Sequence, residues 1–160
     1  MLDTCRSRVY DTAHTQLEIS TKNRINLRIN YNLEIKLERI WSKYFKDVKK
    51  DNQITIKFGR KAVKRLGSIK TYKNGQNFDT LITINGYFKD KYIPDYIVDA
   101  TIAHELCHYA HGFASPLPQL SRYPHRGGAV DKELGRRGLS KLVEKEKDWL
   151  DKYWLDYVQP

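Results

Sequence analysis

The sequence predicts an α+β domain in which a small antiparallel β-sheet packs on one buried helix, with an N-terminal helix and a long C-terminal helix around them. Three observations favour this fold class. Apolar residues recur at helical spacing between residues 93 and 112, short alternating segments precede them between residues 54 and 85, and an aromatic-rich helical pattern follows. A chain of 160 residues suits one domain with its own core. We assign residues 31–160 to that single domain and residues 1–30 to an N-terminal arm of undefined structure.

The first predicted element is a helix over residues 31–48, with Asn32 as its cap and an apolar stripe at helical spacing made of Leu33, Leu37, Ile40, Trp41, Tyr44, Phe45 and Val48. Three strands are predicted next. They cover residues 54–58, residues 62–72 with a bend at Gly67, and residues 80–85. The Asn74–Gly75 pair predicts a hairpin between the last two strands.

The central helix is predicted to begin at Pro94 and Asp95, because proline and an acidic residue are favoured in a first turn. Gly112 is a natural stop. One apolar stripe along this helix, which predicts that it is buried, consists of Val98, Ile102 and Leu106.

This helix carries the motif His-Glu-x-x-His, formed by His104, Glu105 and His108. Residues four apart lie one turn apart on the same face, so both imidazoles can reach one metal ion. Glu105 points about 100° away and can reach the outer shell of the ion without binding it directly. Two histidine ligands, a glutamate as general base and a third ligand from elsewhere are typical of a catalytic zinc site.

The third ligand is predicted to lie after the helix. His111 is seven residues from His104, about 10 Å further along the axis, which is too far to share the ion. Two candidates remain. His125 follows a loop that is long enough to fold back over the helix, and Glu133 lies in the next segment. We favour His125 and keep Glu133 as the alternative.

The order of these motifs resembles the SprT-like zinc metallopeptidases, the group that includes the Spartan DNA–protein crosslink proteases. The resemblance covers about residues 54–142 and is carried by residues 65–69, 81–85, 98–111 and 125–128. It implies a zincin-like fold, one Zn²⁺ per chain and a protein or peptide substrate. It also implies that His104, His108 and His125 are the zinc ligands and that Glu105 is the catalytic acid and base.

Hydrolysis of a peptide bond also needs a hydrogen-bond donor for the oxyanion that forms at the carbonyl. Three residues near the motif have suitable side chains, and the sequence does not rank them. They are Tyr123, Arg126 and Tyr109.

The chain is strongly basic, with a net charge of +10 and a pI of about 9.5. Ten of its cations crowd the region before the motif: Lys46, Lys49, Lys50, Lys57, Arg60, Lys61, Lys64, Arg65, Lys70 and Lys73. Together with eleven tyrosines they make nucleic acid the first partner to consider. The alternative to an enzyme is therefore a basic module that binds nucleic acid or protein and has a structural or vestigial zinc site.

Other features set the cellular context that we expect. No apolar run reaches the length of a membrane span, so no membrane partner is expected. The first residues lack the apolar core of a secretory signal, and two cysteines do not make a disulfide framework, so we expect a cytoplasmic protein. The C-terminal helix has an apolar and aromatic stripe that should pack on the domain: Leu139, Leu142, Val143, Trp149, Leu150, Tyr153, Trp154 and Tyr157.

Overall fold

A computed structural model describes residues 32–123 and 125–159 of the chain. The predicted N-terminal arm, residues 1–30, lies outside the described residues. The first helix, α1, covers residues 32–44 and buries one side against the domain through Leu33, Leu37, Ile40 and Trp41. The prediction extended this helix to residue 48. The chain instead turns after residue 44, and Phe45 inserts into the core with no exposed surface.

A three-stranded sheet is formed by β1 (Ile54–Phe58), β2 (Gly67–Asn74) and β3 (Asn77–Ile84), in the order β1-β3-β2. β3 pairs with β2 in antiparallel and with β1 in parallel orientation. The prediction of a purely antiparallel sheet is therefore wrong: the sheet is mixed. Alternating side chains determine which face of a strand is buried, but not its neighbour or the direction of pairing. β3 takes the central position, and its Ile82 and Ile84 are fully buried.

Residues 59–66 form the loop between β1 and β2, which passes the end of the central strand. Side chains from distant parts of the chain hold this loop by hydrogen bonds. Asn85 directly follows β3 and donates to the carbonyl oxygens of Ala62 (2.6 Å) and Arg65 (2.7 Å). The indole of Trp154 donates to the carbonyl of Val63 (2.8 Å). Because these carbonyls are bound outside any β-ladder, residues 62–66 are not strand, and the predicted second strand begins only at Gly67.

The predicted hairpin is confirmed. Asn74 and Asn77 form the last pair of the β2–β3 ladder, and the chain reverses between them. Gly75 has a φ of 62°, a left-handed backbone that glycine adopts without steric strain.

The central helix is α2 (Asp95–Ala110), with Pro94 at its N-cap as the sequence indicates. It is buried along most of its length, because the sheet, α1 and the C-terminal helices surround it. Its fully or almost fully buried side chains include Ile97, Ile102, Leu106, Cys107 and Tyr109. A 3-10 turn, Gly86–Lys89, lies between β3 and this helix along the chain.

The C-terminal part consists of α3 (Ala129–Arg136) and α4 (Ser140–Trp149), followed by a π-helical turn (Leu150–Trp154) and the short α5 (Leu155–Val158). The apolar and aromatic stripe packs on the domain, as predicted, except for Tyr153, which is 55% exposed. Trp154 makes edge-to-face contacts with Tyr87 and Phe88, at 5.7 Å between ring centroids in each pair. Within the described ranges, no helix has the length and apolar character needed to cross a membrane.

Candidate metal centre

Three histidines converge at the C-terminal half of α2. His104 and His108 come from successive turns of the helix, and His125 comes from the segment before α3. One ligand nitrogen from each lies within 4.8 Å of the others, so the group could hold a metal ion. The ring centroids are 4.9 Å apart for His104 and His108, 4.7 Å for His108 and His125, and 5.7 Å for His104 and His125.

His125 reaches the helix because the loop after α2 folds back on itself. Gly112 adopts a φ of 82°, and a methyl group there would lie 2.4 Å from the carbonyl oxygen of Pro118. The amide of Leu120 donates to the carbonyl of His111 at 3.0 Å. A glycine is therefore required at position 112 both for the backbone angle and for the close return of the loop.

Two hydroxyl groups hold the first half of this loop. Thr80 donates to the carbonyl of Ala114 at 2.6 Å, and Ser115 donates to the carbonyl of Tyr109 at 2.7 Å. Ala114 has a φ of 51°, which is uncommon for a residue with a Cβ atom. The loop is thus fixed to both the sheet and the helix, and its course over the helix is well defined.

The surroundings of His104 and His108 favour the neutral form of these two imidazoles. Burial, and next the charge of His125, lower the pKa of His104. Burial lowers the pKa of His108 to about 4, and the neighbouring histidines add to this shift. Neutral imidazoles have the free electron pair that a metal ligand needs. In addition, Nδ1 of His108 is buried without a hydrogen-bond partner among the described residues. The three imidazoles therefore fit a metal ion that prefers nitrogen ligands.

Glu105 lies beside this cluster and is 5% exposed. Burial raises the pKa of its carboxyl group to about 7, while the positive charge of Arg65 opposes the shift. The start of β2 passes very close to it: a methyl group at Gly67 would lie 2.7 Å from Oε1 of Glu105. A carboxyl group that titrates near neutral pH in a confined position is suited to accept and return a proton.

A cleft of about 420 Å³ opens over the cluster. One wall is the beginning of β2, an edge strand whose second edge pairs with no other described strand. The floor is α2, and the loop after α2 closes the far side. The lining residues are Gly67, Ser68 and Ile69 from β2, His104, Glu105 and His108 from α2, and Phe113, Ala114 and His125 from the loop.

Glu133, the alternative third ligand, is engaged elsewhere. Its carboxylate accepts hydrogen bonds from Arg136 and, at 2.8 Å, from Nε of Arg137. Nε2 of His111 lies 3.7 Å from the same carboxylate, and His111 is buried. The structure therefore brings His125 to the two helix histidines, and it places Glu133 in an ion-pair network with the arginines.

The three candidate oxyanion donors have different positions. Tyr109 is fully buried, and its hydroxyl donates to Oδ1 of Asn52 (2.9 Å) and accepts from the amide of Asp51 (3.2 Å). Its prediction as an oxyanion donor is corrected, because this hydroxyl is occupied in the core. Tyr123 and Arg126 are exposed residues that flank His125, and neither lines the cleft.

The sequence predicts no role in the site for two residues that the structure places there. It predicts only a bend at Gly67, whereas this glycine lets the β2 backbone approach Glu105. Glu146 of α4 lines a second cavity together with His104 and Glu105. A signal for Glu146 exists in the sequence, because it occupies a position of the apolar stripe that continues from Leu142 and Val143 to Leu150.

No protein family, curated protein or solved structure matches this chain. What the chain does must therefore be inferred from the geometry of its site.

Proposed function

We propose that the chain is a zinc-dependent metallopeptidase of the SprT-like type, with one zinc ion per chain. The observation that carries this proposal is the arrangement of three imidazoles and one buried carboxyl group on the floor of a cleft beside an edge strand. His104, His108 and His125 would hold the ion. Imidazole also suits copper, iron and nickel, but three histidines with an adjacent glutamate are typical of catalytic zinc.

The number of ligands favours an enzyme over a structural or vestigial zinc site. Structural zinc sites are closed by four protein ligands, whereas catalytic sites have three and leave one position open. Among the described residues the group has three members, and it opens on the cleft. A bound zinc ion would supply Lewis acidity, which lowers the pKa of a water and polarises the carbonyl to be cleaved.

Glu105 does the proton transfer in this proposal. Its carboxylate takes a proton from the attacking water and then delivers it to the amine that leaves. Burial, which raises the pKa of this carboxyl group to about 7, makes both steps feasible near neutral pH. Arg126 and Tyr123 remain the candidate oxyanion donors, since they flank His125.

The substrate that suits this cleft is an extended polypeptide. The second edge of β2 offers backbone N–H and C=O groups that can pair with another strand, and Ser68 and Ile69 of this strand line the cleft. Backbone pairing holds a peptide chain irrespective of its side chains. We propose a protein segment in extended conformation as the substrate.

The test is hydrolysis of an unfolded protein by the zinc-loaded chain, together with its zinc content. Glu105→Gln preserves the size of the side chain, so it should keep about one zinc and lose hydrolysis by roughly 10²- to 10⁴-fold. His104→Ala should lose both. Glu144→Gln, at an exposed position of α4, is the matched control and should change neither. Undiminished hydrolysis by Glu105→Gln would contradict the general-base assignment.

A second candidate function, nucleic-acid binding, is favoured by the charge around the sheet. Residues 54–78 contain seven lysines and arginines and no acidic residue. Four of these cations, Arg60, Lys61, Lys64 and Arg65, lie on or beside the loop that Asn85 tethers next to the cleft. We propose nucleic acid, or a protein associated with it, as a partner of this face. Binding to single-stranded DNA that weakens steeply with salt would support this proposal.

We further propose a cytoplasmic setting. Its basis is the scarcity of cysteine in the chain and the state of Cys107, a buried free thiol whose pKa burial raises to about 12. A thiol of this kind does not depend on an oxidising compartment. Localisation of the tagged chain in cells would test the assignment.

A further inference from the structure

The sheet has a second face, opposite the one that packs on α2. Ile56, Ile69 and Ile82 stand side by side across the three strands and belong to the core. Because successive side chains of a strand point to opposite faces, their neighbours in sequence lie on the other side of the sheet, which we call the outer face. The outer face consists of Thr55 and Lys57 of β1, Ser68, Lys70 and Tyr72 of β2, and Asp79, Leu81 and Thr83 of β3.

The ring of Tyr72 lies across the central strand on the outer face. Tyr72 belongs to β2, but its hydroxyl is 3.4 Å from Oγ1 of Thr55 on β1. These two strands are about 10 Å apart because β3 lies between them, so the tyrosine side chain must bridge β3. Tyr72 pairs with Asp79 and Thr55 pairs with Leu81, so the ring passes between these two residues of β3. Since Tyr72 is half-buried, one side of its ring rests on the sheet and the other side faces outward.

Two exposed lysines stand next to this ring. Lys70 precedes Tyr72 by two residues on β2, and Lys57 follows Thr55 by two residues on β1, so both lie on the outer face. The three strands contain a single acidic residue, Asp79. This aspartate is only 6% exposed and accepts a hydrogen bond from Asn74 at 2.7 Å. The exposed charge of the outer face is therefore positive.

A cavity of about 160 Å³ continues the outer face at the end that lies away from Tyr72. Ser68 and Thr83, which pair across β2 and β3, line this cavity from the sheet. Arg60 and Arg65 line it from the loop between β1 and β2, and none of the described residues in its lining is acidic. Guanidinium and hydroxyl groups are common donors to phosphate oxygens. The cavity therefore has the donors and the charge to bind a phosphate group.

The ring, the lysines and the cavity follow one another along the sheet. Tyr72 and Ser68 are four residues apart on β2, which corresponds to about 13 Å, and Lys70 lies between them. A single strand of nucleic acid has unpaired bases that stack on aromatic rings and a phosphate backbone that follows positive charge. In a duplex the bases are paired and stacked on one another, so they cannot lie on the ring of Tyr72.

We propose that the outer face binds a single strand of nucleic acid, with one base stacked on Tyr72 and with phosphates at Lys57, Lys70 and the cavity of Arg60 and Arg65. This inference rests on the proposed nucleic-acid partner, and it adds the surface, the single-stranded form and the stacking contact. The groups that are recognised, phosphate and base, are common to DNA and RNA. A strand bound there leaves the cleft open, because α2 lies on the opposite side of the sheet.

The experiment measures the binding of the full chain to fluorescent oligonucleotides of about 12 nucleotides by anisotropy, between about 50 and 200 mM salt. The probes are oligo-dT, oligo-U, an abasic strand with the same number of phosphates, and a duplex. We expect oligo-dT to bind more tightly than the abasic strand by about 5- to 150-fold, the range for one base stacked on an aromatic side chain, and oligo-U to bind like oligo-dT. Tyr72→Ala should abolish this preference, whereas Tyr72→Phe retains the ring and should keep it.

The lysines are tested through the salt dependence of binding. Each phosphate contact of a single strand contributes about 0.7 to the slope of log K against log salt, so Lys57→Gln/Lys70→Gln should reduce the slope by about 2 × 0.7 = 1.4. The control Lys132→Gln/Lys141→Gln removes the same charge from exposed positions of α3 and α4 and should leave the slope unchanged.

The outcomes separate this surface from the partner on which it rests. Salt-dependent binding of oligo-dT that none of the outer-face variants changes would retain nucleic acid as a partner and reject the outer face. No binding of any probe at the lowest salt would reject the nucleic-acid partner itself. A duplex bound as tightly as oligo-dT would overturn the single-stranded form. If Tyr72→Ala weakened the abasic strand as much as oligo-dT, the ring would have a structural role, and the stacking contact would be refuted.

Discussion

The contact between Gly67 and Glu105 predicts that a single methyl group will disturb the general base. In Gly67→Ala the new methyl would lie 2.7 Å both from Oε1 of Glu105 and from Cγ2 of Thr101. The backbone at Gly67 is outside the left-handed region, so alanine can adopt it without strain. The effect of the substitution is therefore steric and local to the cleft.

The size of the effect follows from these distances. Ordinary van der Waals contact begins at 3.4 Å, so one of the groups must move by about 3.4 − 2.7 = 0.7 Å. Thr101 is held by its hydrogen bond to the carbonyl of Ile97, whereas the end of the Glu105 side chain can rotate. A misplacement of about 1 Å of a catalytic group reduces the rate by about 10²-fold, so we expect kcat to fall roughly 30-fold. Overpacking should also lower the free energy of unfolding by about 1–3 kcal/mol.

The assay compares kcat, zinc content and urea unfolding of Gly67→Ala with those of the wild type. Gly135→Ala in α3 is the matched control, because a methyl group there meets only Oγ of Ser140 at 3.4 Å. This control should retain kcat and become more stable by about 0.5–1 kcal/mol, as alanine favours a helix over glycine. Zinc content should stay near one in both variants. A Gly67→Ala chain with unchanged kcat would refute the placement of Glu105 against β2.

Three further predictions follow from the geometry. His125→Ala should lose zinc measured by atomic emission, whereas Glu133→Ala should keep it and lose stability; the reverse pattern would make Glu133 the ligand. Tyr109→Phe should lower the free energy of unfolding by about 1–2 kcal/mol in urea, since Asn52 loses a buried partner, and hydrolysis should be unaffected. Burial raises the pKa of Glu146 from 4.5 to about 7. The native state then binds more protons than the unfolded state between these values, so stability should fall as pH rises from about 5 to 8, by roughly 2 kcal/mol more in the metal-free wild type than in Glu146→Gln. Equal pH dependence in both would refute the shift.

Local features of the fold were predictable from the sequence. The bounds of α2 follow from Pro94 and Gly112, and the hairpin follows from the Asn74–Gly75 pair, because each of these residues constrains its own backbone angles. The position of His104 and His108 on the same face was also predictable, because both residues belong to one helix and are four residues apart. The length of the loop after α2 predicts that it can fold back and bring His125 over the helix. The close packing of Pro118 and Gln119 against Gly112 explains how the loop returns.

Features that depend on distant contacts were not predictable. The parallel pairing of β1 and β3 depends on the path of the loop between β1 and β2. Asn85 and Trp154 hold this loop, and they lie about 20 and 90 residues further along the chain than the carbonyls to which they donate. The hydroxyl of Tyr109 is bound by Asn52, 57 positions earlier. Glu146 was hidden among the charged residues of α4, and only the packing of this helix beside Thr101 reveals that it faces a cavity.

The three histidines lie within a single stretch of 22 residues, from His104 to His125, while the sheet and Glu146 come from other parts of the chain. A short segment of this kind can bind zinc through the same imidazoles when the rest of the protein is unfolded. Affinity for the unfolded ensemble reduces the stabilisation that a metal gives to the native state. Zinc should therefore raise the melting temperature of this chain by less than its affinity for the folded protein implies, and denatured chains should retain part of their metal.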